Sequence, residues 1–295
     1  MVELELDFLP HLKRLEDLTK KPWLVSNMVG SYQSSYKGQG KEFEGFAMYT
    51  ADQDAKRIDW VASAKSDKLL MRTFVEERDL KCYVIMDCSE SMFFSSTKKL
   101  KCEYAAELAN TLLFAIVATG DQVGLTMASD SVFVNLPPKS DKAQYFRMLT
   151  KLSDNSNYGG QRNFLHALHE ILRARERGVL FVISDFLNLR KEEVDVLGLL
   201  SKSFDISAFI VRDKVEKYLP KDLNAVCIED PKTKQTIIVN LKQVRDEYQQ
   251  DMEQDENNIR EALLEHDIDS TIFYTHMPFE GKLMEYFAMQ RKKWK

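Results

Sequence analysis

The sequence is short of several residue types that would settle its class at once. Its 295 residues include only four cysteines, Cys82, Cys88, Cys102 and Cys227. No two of them form a CxxC pair, which removes zinc knuckles and thioredoxin-type redox motifs. So few cysteines in so long a chain suit a reducing compartment better than a disulfide-stapled secreted domain. Eleven glycines and seven prolines leave little material for long disordered linkers. Positive charge is not in surplus either: 41 basic residues face 46 acidic ones, for a net charge of −5. A general nucleic-acid binder would carry a basic excess. Long hydrophobic runs are missing as well. The strongest, Leu112–Ala118, falls far short of the ~20 residues that span a bilayer. The first ten residues, MVELELDFLP, are acidic and lack the basic-then-apolar layout of a secretory signal. These absences lead us to expect a cytoplasmic protein with no nucleic-acid partner and no membrane insertion.

Catalytic signatures are missing too. The chain has no GxxxxGK[ST], so it is not itself a P-loop ATPase. It has no GxSxG hydrolase elbow, and no GxGxxG follows a strand. What remains is an ordinary globular composition, 44% hydrophobic and 29% charged. The length leaves room for one large domain or two ordinary ones, at about 100–200 residues each.

From about residue 80 the pattern becomes regular. KCYVIMD (81–87), GVLFVISD (178–185) and FDISAFIV (204–211) are apolar runs of the kind that make buried parallel strands. QVGLTMA (122–128) and SVFVN (131–135) read as two strands joined by a tight turn, and DSTIFYT (269–275) as a last strand. Helical spacing is expected over 98–119, 140–152, 163–176, 189–200, 241–266 and 281–291. In the first of these, Leu100, Tyr104, Leu108, Leu112 and Ala115 share one face. Strands alternating with helices imply an α/β fold with a mostly parallel central sheet and helices on both faces. The first third is different. A helix is expected over 8–19, followed by a Ser-, Tyr- and Gly-rich stretch that reads as loop with short extended pieces, and a strand within 68–79. We therefore expect an N-terminal extension, residues 1–78, packing on a main domain, residues 79–295.

In open α/β sheets, ligands bind outside the carboxyl ends of the strands. Two buried strands end there in carboxylates. One runs into Asp87-Cys88-Ser89-Glu90-Ser91, the other into Ser184-Asp185-Phe186. Asp87, Ser89 and Ser91 would present three oxygens from one turn, which suits Mg²⁺ or Mn²⁺, and Asp185 could act directly or through water. The plainer alternative is that the serines only shape the turn, with Asp87 a solvated strand end.

DxSxS after one buried strand, with a later Asp after another, resembles a von Willebrand factor A-like domain. Further residues narrow the resemblance to the bacterial "domain of unknown function 58" family. These are GQGKEFEG (38–45), Arg57-Ile58-Asp59-Trp60, Glu76-Glu77, VISDF (182–186), VRDKVEKYLP (211–220) and EDPKTKQTIIVN (229–240). The resemblance spans roughly residues 8–240. It implies a von Willebrand factor A-like (Rossmann-like) fold and a metal-ion-dependent adhesion site at Asp87, Ser89, Ser91 and Asp185. It also implies a MoxR-type AAA+ ATPase as partner in assembly or maturation of protein complexes.

Two departures stand out. The family offers a Thr after a glycine-rich loop, where this chain reads Tyr158-Gly159-Gly160-Gln161-Arg162-Asn163. Arg162 there could pair with Asp87 or Asp185 and take the place of the cation, or Asn163 or Ser156 could supply an oxygen. The family's Gly-Asp-Asp is Asp52-Gln53-Asp54 here, which retains Asp54. Ile58 and Trp60 read as buried packing residues, with Arg57 and Asp59 tying their loop to the sheet by hydrogen bonds.

Other candidates are weaker. His166 and His169 fall on the polar side of their helix, away from Leu165, Leu168 and Leu172, and are expected in solvent. Cys88 lies beside Asp87 and Glu90, which would raise its pKa and keep it unreactive. The expectation is a non-enzymatic module that holds a divalent cation and receives a carboxylate from a client protein. Two alternatives remain: the same fold binding without metal, and a Mg²⁺-dependent phosphatase. For the phosphatase, Ser89 stands where a second Asp is needed.

Overall fold

Six strands build the central sheet, and their apolar runs explain why it can be buried on both faces. The structure is a computed structural model that describes residues 42–49, 58–66, 68–75, 81–97, 99–118, 120–220, 225–229 and 236–293. The elements in chain order are β1 (Glu42–Met48), α1 (Trp60–Ser66), β2 (Leu70–Val75), β3 (Lys81–Asp87), α2 (Lys101–Ala118) and β4 (Gln122–Ala128). Next come β5 (Val132–Lys139), α3 (Lys142–Leu152), α4 (Leu165–Ala174), β6 (Gly178–Ser184), α5 (Lys191–Leu200) and β7 (Phe204–Arg212). The chain ends with β8 (Ala225–Glu229), β9 (Thr236–Asn240), α6 (Leu241–Leu264), β10 (Asp269–Tyr274) and α7 (Glu280–Lys293).

The sheet order is β10-β7-β6-β3-β4-β5. All neighbours run parallel except β5, which returns antiparallel along β4. This is the mostly parallel α/β architecture, with helices on both faces, expected from the sequence. The period-2 alternation of β3 divides the core. Cys82, Val84 and Met86 face a cluster with α2, α3 and α7, while Tyr83 and Ile85 face a cluster with α4, α5 and α6. Fully burying a side chain such as Phe181 or Phe209 is worth roughly 1.5–3 kcal/mol, and these two rings tilt against each other at 5.8 Å.

The edge strand β5 carries Pro137 and Pro138, which is tolerated because an edge strand has no neighbour to donate to on its outer side. Its register with β4 shifts between Val123 and Leu125. Gly124 sits in that irregularity, and a Cβ there would lie 2.6 Å from the Leu136 carbonyl oxygen. Gly124→Ala is therefore expected to destabilise the protein by about 1–3 kcal/mol, read by urea denaturation. An unchanged midpoint would show that the edge strand relaxes freely.

One finding differs from the sequence reading. Helix α2 was expected to bury one face, but from Lys101 to Leu113 every residue is buried. It lies between the sheet and a cover formed by α3 and α7, with Tyr104 edge-on to Phe279 and Phe114 edge-on to Tyr145. Thr111 donates to the Glu107 carbonyl and Asn110 accepts from Tyr145, while the Asn110 Nδ2 has no partner among the described residues. In the N-terminal part the described residues form short elements, as expected: β1 and β2 pair antiparallel, β2 falls within the strand expected over 68–79, and α1 packs against β2. The helix expected over 8–19, Arg57, Asp54 and Glu76-Glu77 lie outside the described residues.

Candidate functional site

The carboxyl ends of β3, β4, β6, β7 and β10 share one edge of the sheet, because these strands are parallel. The structure brings together there the four residues singled out in the sequence. Asp87 ends β3 fully buried. One carboxylate oxygen accepts from the Ser89 N–H at 2.9 Å and the other from the Ser184 hydroxyl at 2.8 Å. The hydroxyls of Ser89 and Ser91 lie 3.1 Å apart, and Ser91 hydrogen-bonds to Asp185. Asp185 accepts from the Leu187 N–H at 3.1 Å. That turn is made by Phe186, a bulky residue held at a φ of 50°, which is unusual outside glycine and typical of constrained functional loops.

A lysine that sequence reasoning did not single out completes the cluster. Lys101, in the first turn of α2, has a side chain with 0% exposure. Its ammonium lies 2.9 Å from Asp185 and 2.5 Å from Glu216, on the loop after β7. Glu216 also accepts from the Asp213 N–H. Asp213 gathers the neighbouring loops, accepting from the backbone and hydroxyl of Ser96 and from Thr275. A chain of hydrogen bonds thus runs from the DxSxS turn through Lys101 to the loops after β7 and β10.

The charges follow from this arrangement. Burial, and then the nearby Asp185, push the Asp87 carboxyl up to about 6 despite the hydrogen bonds from Ser89 and Ser184. Burial would raise Asp185 too, but the Lys101 ammonium and the hydrogen bonds from Lys101, Leu187 and Ser91 hold it below the usual range. Burial, followed by the charge of Asp87, drives the Cys88 thiol well up, in keeping with an unreactive cysteine.

The rim residues are placed differently from expectation. Arg162 does not pair with Asp87 or Asp185. It lies 3.0 Å from Glu193 at the start of α5 and stacks over Phe164. The built-in cation at the acidic edge is Lys101. Ser156 bonds to Asp154 in its own turn, and Asn163 caps the start of α4 by accepting from the Leu165 N–H. Neither reaches the cluster. The glycine loop does: Gly159 N–H donates to the Cys88 carbonyl at 2.7 Å, and Glu90 N–H to the Gly160 carbonyl at 2.9 Å. Gly160 has a φ of 80°, and a Cβ there would strike Asp130 and Ser129 at 2.5 and 2.6 Å. The pair of glycines is what lets this loop lie against the DxSxS turn.

Upstream, Asp59 is buried and caps α1, accepting from the Val61 and Ala62 N–H groups at 3.0 Å. Ile58 is buried and bridges to Met71. Trp60, expected in the core, is 67% exposed. It stands at the first position of α1, where the cap fixes the backbone and leaves the ring outside. His166 and His169 are exposed, as expected.

The donor set at the edge is two carboxylates and two hydroxyls. Among the described residues no three His, Cys, Asp or Glu side chains gather in a metal-holding group. Hard oxygen donors of this mixture suit Mg²⁺ or Mn²⁺ rather than a softer ion. Lys101 is bonded to Asp185 and Glu216, and Asp87 is bonded by Ser89 and Ser184.

Comparison with known proteins adds the following. A family described as "Protein of unknown function DUF58" matches residues 47–258. The uncharacterized protein Rv1480 of Mycobacterium tuberculosis is 24% identical over 220 residues, covering 74% of this chain and 69% of its own. Among solved structures, the conserved hypothetical protein BatB from Bacteroides thetaiotaomicron is 17% identical. The match covers 73% of this chain and 98% of BatB, with a TM-score of 0.46. A von Willebrand factor type A protein from Catenulispora acidiphila is 14% identical over 76% of this chain and 44% of its own, with a TM-score of 0.38. Among the described residues no helix is long and apolar enough to cross a membrane.

Proposed function

The chain belongs to the DUF58 family of proteins of unknown function, and on that premise we propose that it is a non-enzymatic protein-binding module of the cytoplasm. The observation that carries this reading is the convergence of Asp87, Ser89, Ser91 and Asp185 at one sheet edge. A Mg²⁺ or Mn²⁺ ion would be held by Asp87, Ser89 and Ser91, with Asp185 supporting it, and would supply an anchor for a carboxylate on a client protein. The resemblance described above supports a MoxR-type AAA+ ATPase as co-worker in assembly or maturation of protein complexes.

The phosphatase alternative is disfavoured by Ser89, which stands two residues after Asp87, where an aspartate-nucleophile phosphatase needs a second Asp as general acid.

The test is binding of the MoxR-type ATPase to the wild-type chain and to Asp87→Ala. Mg²⁺ is kept constant so that the ATPase's own nucleotide site stays loaded. Affinity should fall at least tenfold in Asp87→Ala while the fold is retained. Equal affinity for both chains would contradict the reading.

A further inference from the structure

Arg162 carries hydrogen-bonding capacity that the described residues do not use. Its side chain is 8% exposed. Nη1 donates to Glu193 at 3.0 Å and, at 3.4 Å, to the Asn188 carbonyl. The guanidinium carbon lies 4.9 Å over the Phe164 ring. Glu193 is itself committed, accepting from the N–H groups of Phe164 and Arg190. The head group is thus held by one atom and one face, and cannot swing to a new partner without breaking both. Its other edge, Nε and Nη2, is buried and has no hydrogen-bond partner among the described residues.

That edge is the side of a guanidinium that grips a planar oxyanion through two parallel N–H···O bonds. Its place is also informative. Gly159 and Gly160, three and two residues earlier, are bonded to Cys88 and Glu90 of the DxSxS turn. Asn188, which Arg162 touches, lies three residues after Asp185. Arg162 is therefore tied through Nη1 to the loop after Asp185, and through its chain neighbours to the DxSxS turn.

We propose that the Nε/Nη2 edge of Arg162 is a subsite for a carboxylate of a protein partner. The proposal rests on reading this sheet edge as a docking site, and adds a second anchor beside the cation. Local charge selects the class of anion. Glu193 already balances the charge of Arg162, which favours a singly charged carboxylate over a dianionic phosphate. Both donor atoms are covered in the free chain, so the carboxylate reaches them by local opening of the rim.

The experiment follows the arginine Nε–H resonances of the full-length ¹⁵N-labelled chain by NMR. The Arg162 signal is assigned through its own side-chain protons and confirmed by its loss in Arg162→Lys. The probes are acetate, a short peptide containing one glutamate, inorganic phosphate, and chloride as an ionic-strength control. The Arg162 signal should move saturably with acetate and at lower concentration with the peptide, and not with chloride. The same response should persist in Asp87→Ala, which separates failure of the metal reading from failure of this one. A signal unmoved by acetate and peptide, or moved equally by chloride, would overturn the subsite. Tighter binding of phosphate would overturn the carboxylate assignment, and tighter binding of acetate than of peptide the protein source. The titration is read on the unaltered chain, so it stands even if Arg162→Lys folds poorly.

Discussion

Methionine in place of Lys101 should cost the fold about 3–5 kcal/mol, the usual penalty for removing one partner from a buried ion pair. Lys101 is the cation that Asp185 and Glu216 share, and its side chain and that of Asp185 have no exposure. Without it, only the hydrogen bonds from Leu187 and Ser91 would oppose the upward push of burial on the Asp185 carboxyl. The Glu216 loop would also lose its tether to α2. Urea denaturation of the single variant reads the loss directly. The double variant Lys101→Met/Asp185→Asn should recover part of it, because neutralising both partners removes the stranded charge. A single-variant loss under about 1 kcal/mol, the range of an exposed pair, would mean that the cluster is wetter than the structure indicates.

The second large effect concerns pH. Asp87 is pushed up to about 6 by burial and by Asp185, against about 3.9 in an unfolded chain. Between those values the folded state binds the extra proton, so stability falls as pH rises from about 4 to about 6. The full shift corresponds to roughly 2–3 kcal/mol of destabilisation above that window. Asp185 and Asp213 are held below the usual range. Their stabilisation is present above the unfolded value and lost below it, so they act on the acid side and leave this window to Asp87. The metal-free chain should therefore be more stable near pH 4.5 than near pH 6.5. Asp87→Asn should flatten that slope, and a saturating divalent cation should flatten it too by stabilising the ionised carboxylate. A slope that persists in Asp87→Asn would assign the effect elsewhere.

The strands were legible because a sheet buried on both faces needs continuous apolar runs, and 81–87, 178–184 and 204–212 are such runs. Asp87 and Asp185 were legible for a related reason: a carboxylate ending such a run stands at the binding edge. Lys101 was hidden. It sits among Lys98, Lys99 and Lys101 at the start of a helix, where lysines are ordinarily solvated, and only the tertiary path of α2 puts one of them under Asp185. Ser184 was overlooked beside the more conspicuous Asp185, although its hydroxyl fixes Asp87. The burial of α2 was masked by Glu103, Glu107 and Asn110, polar residues that read as an outer face until their hydrogen-bond partners are known. Trp60 failed in the opposite sense: a large aromatic is a good guess for the core, but a helix's first residue follows its cap. The β8–β9 hairpin was noticed only as a family motif, because five-residue strands joined by a polar loop give little periodic signal.

The most direct test of the central claim is a calorimetric titration of Mg²⁺ and Mn²⁺ into the full chain near pH 7, with Asp87→Ala measured alongside. The account predicts saturable binding of one ion that is absent from a folded Asp87→Ala. No binding to the wild-type chain, or the same binding to both, would contradict it.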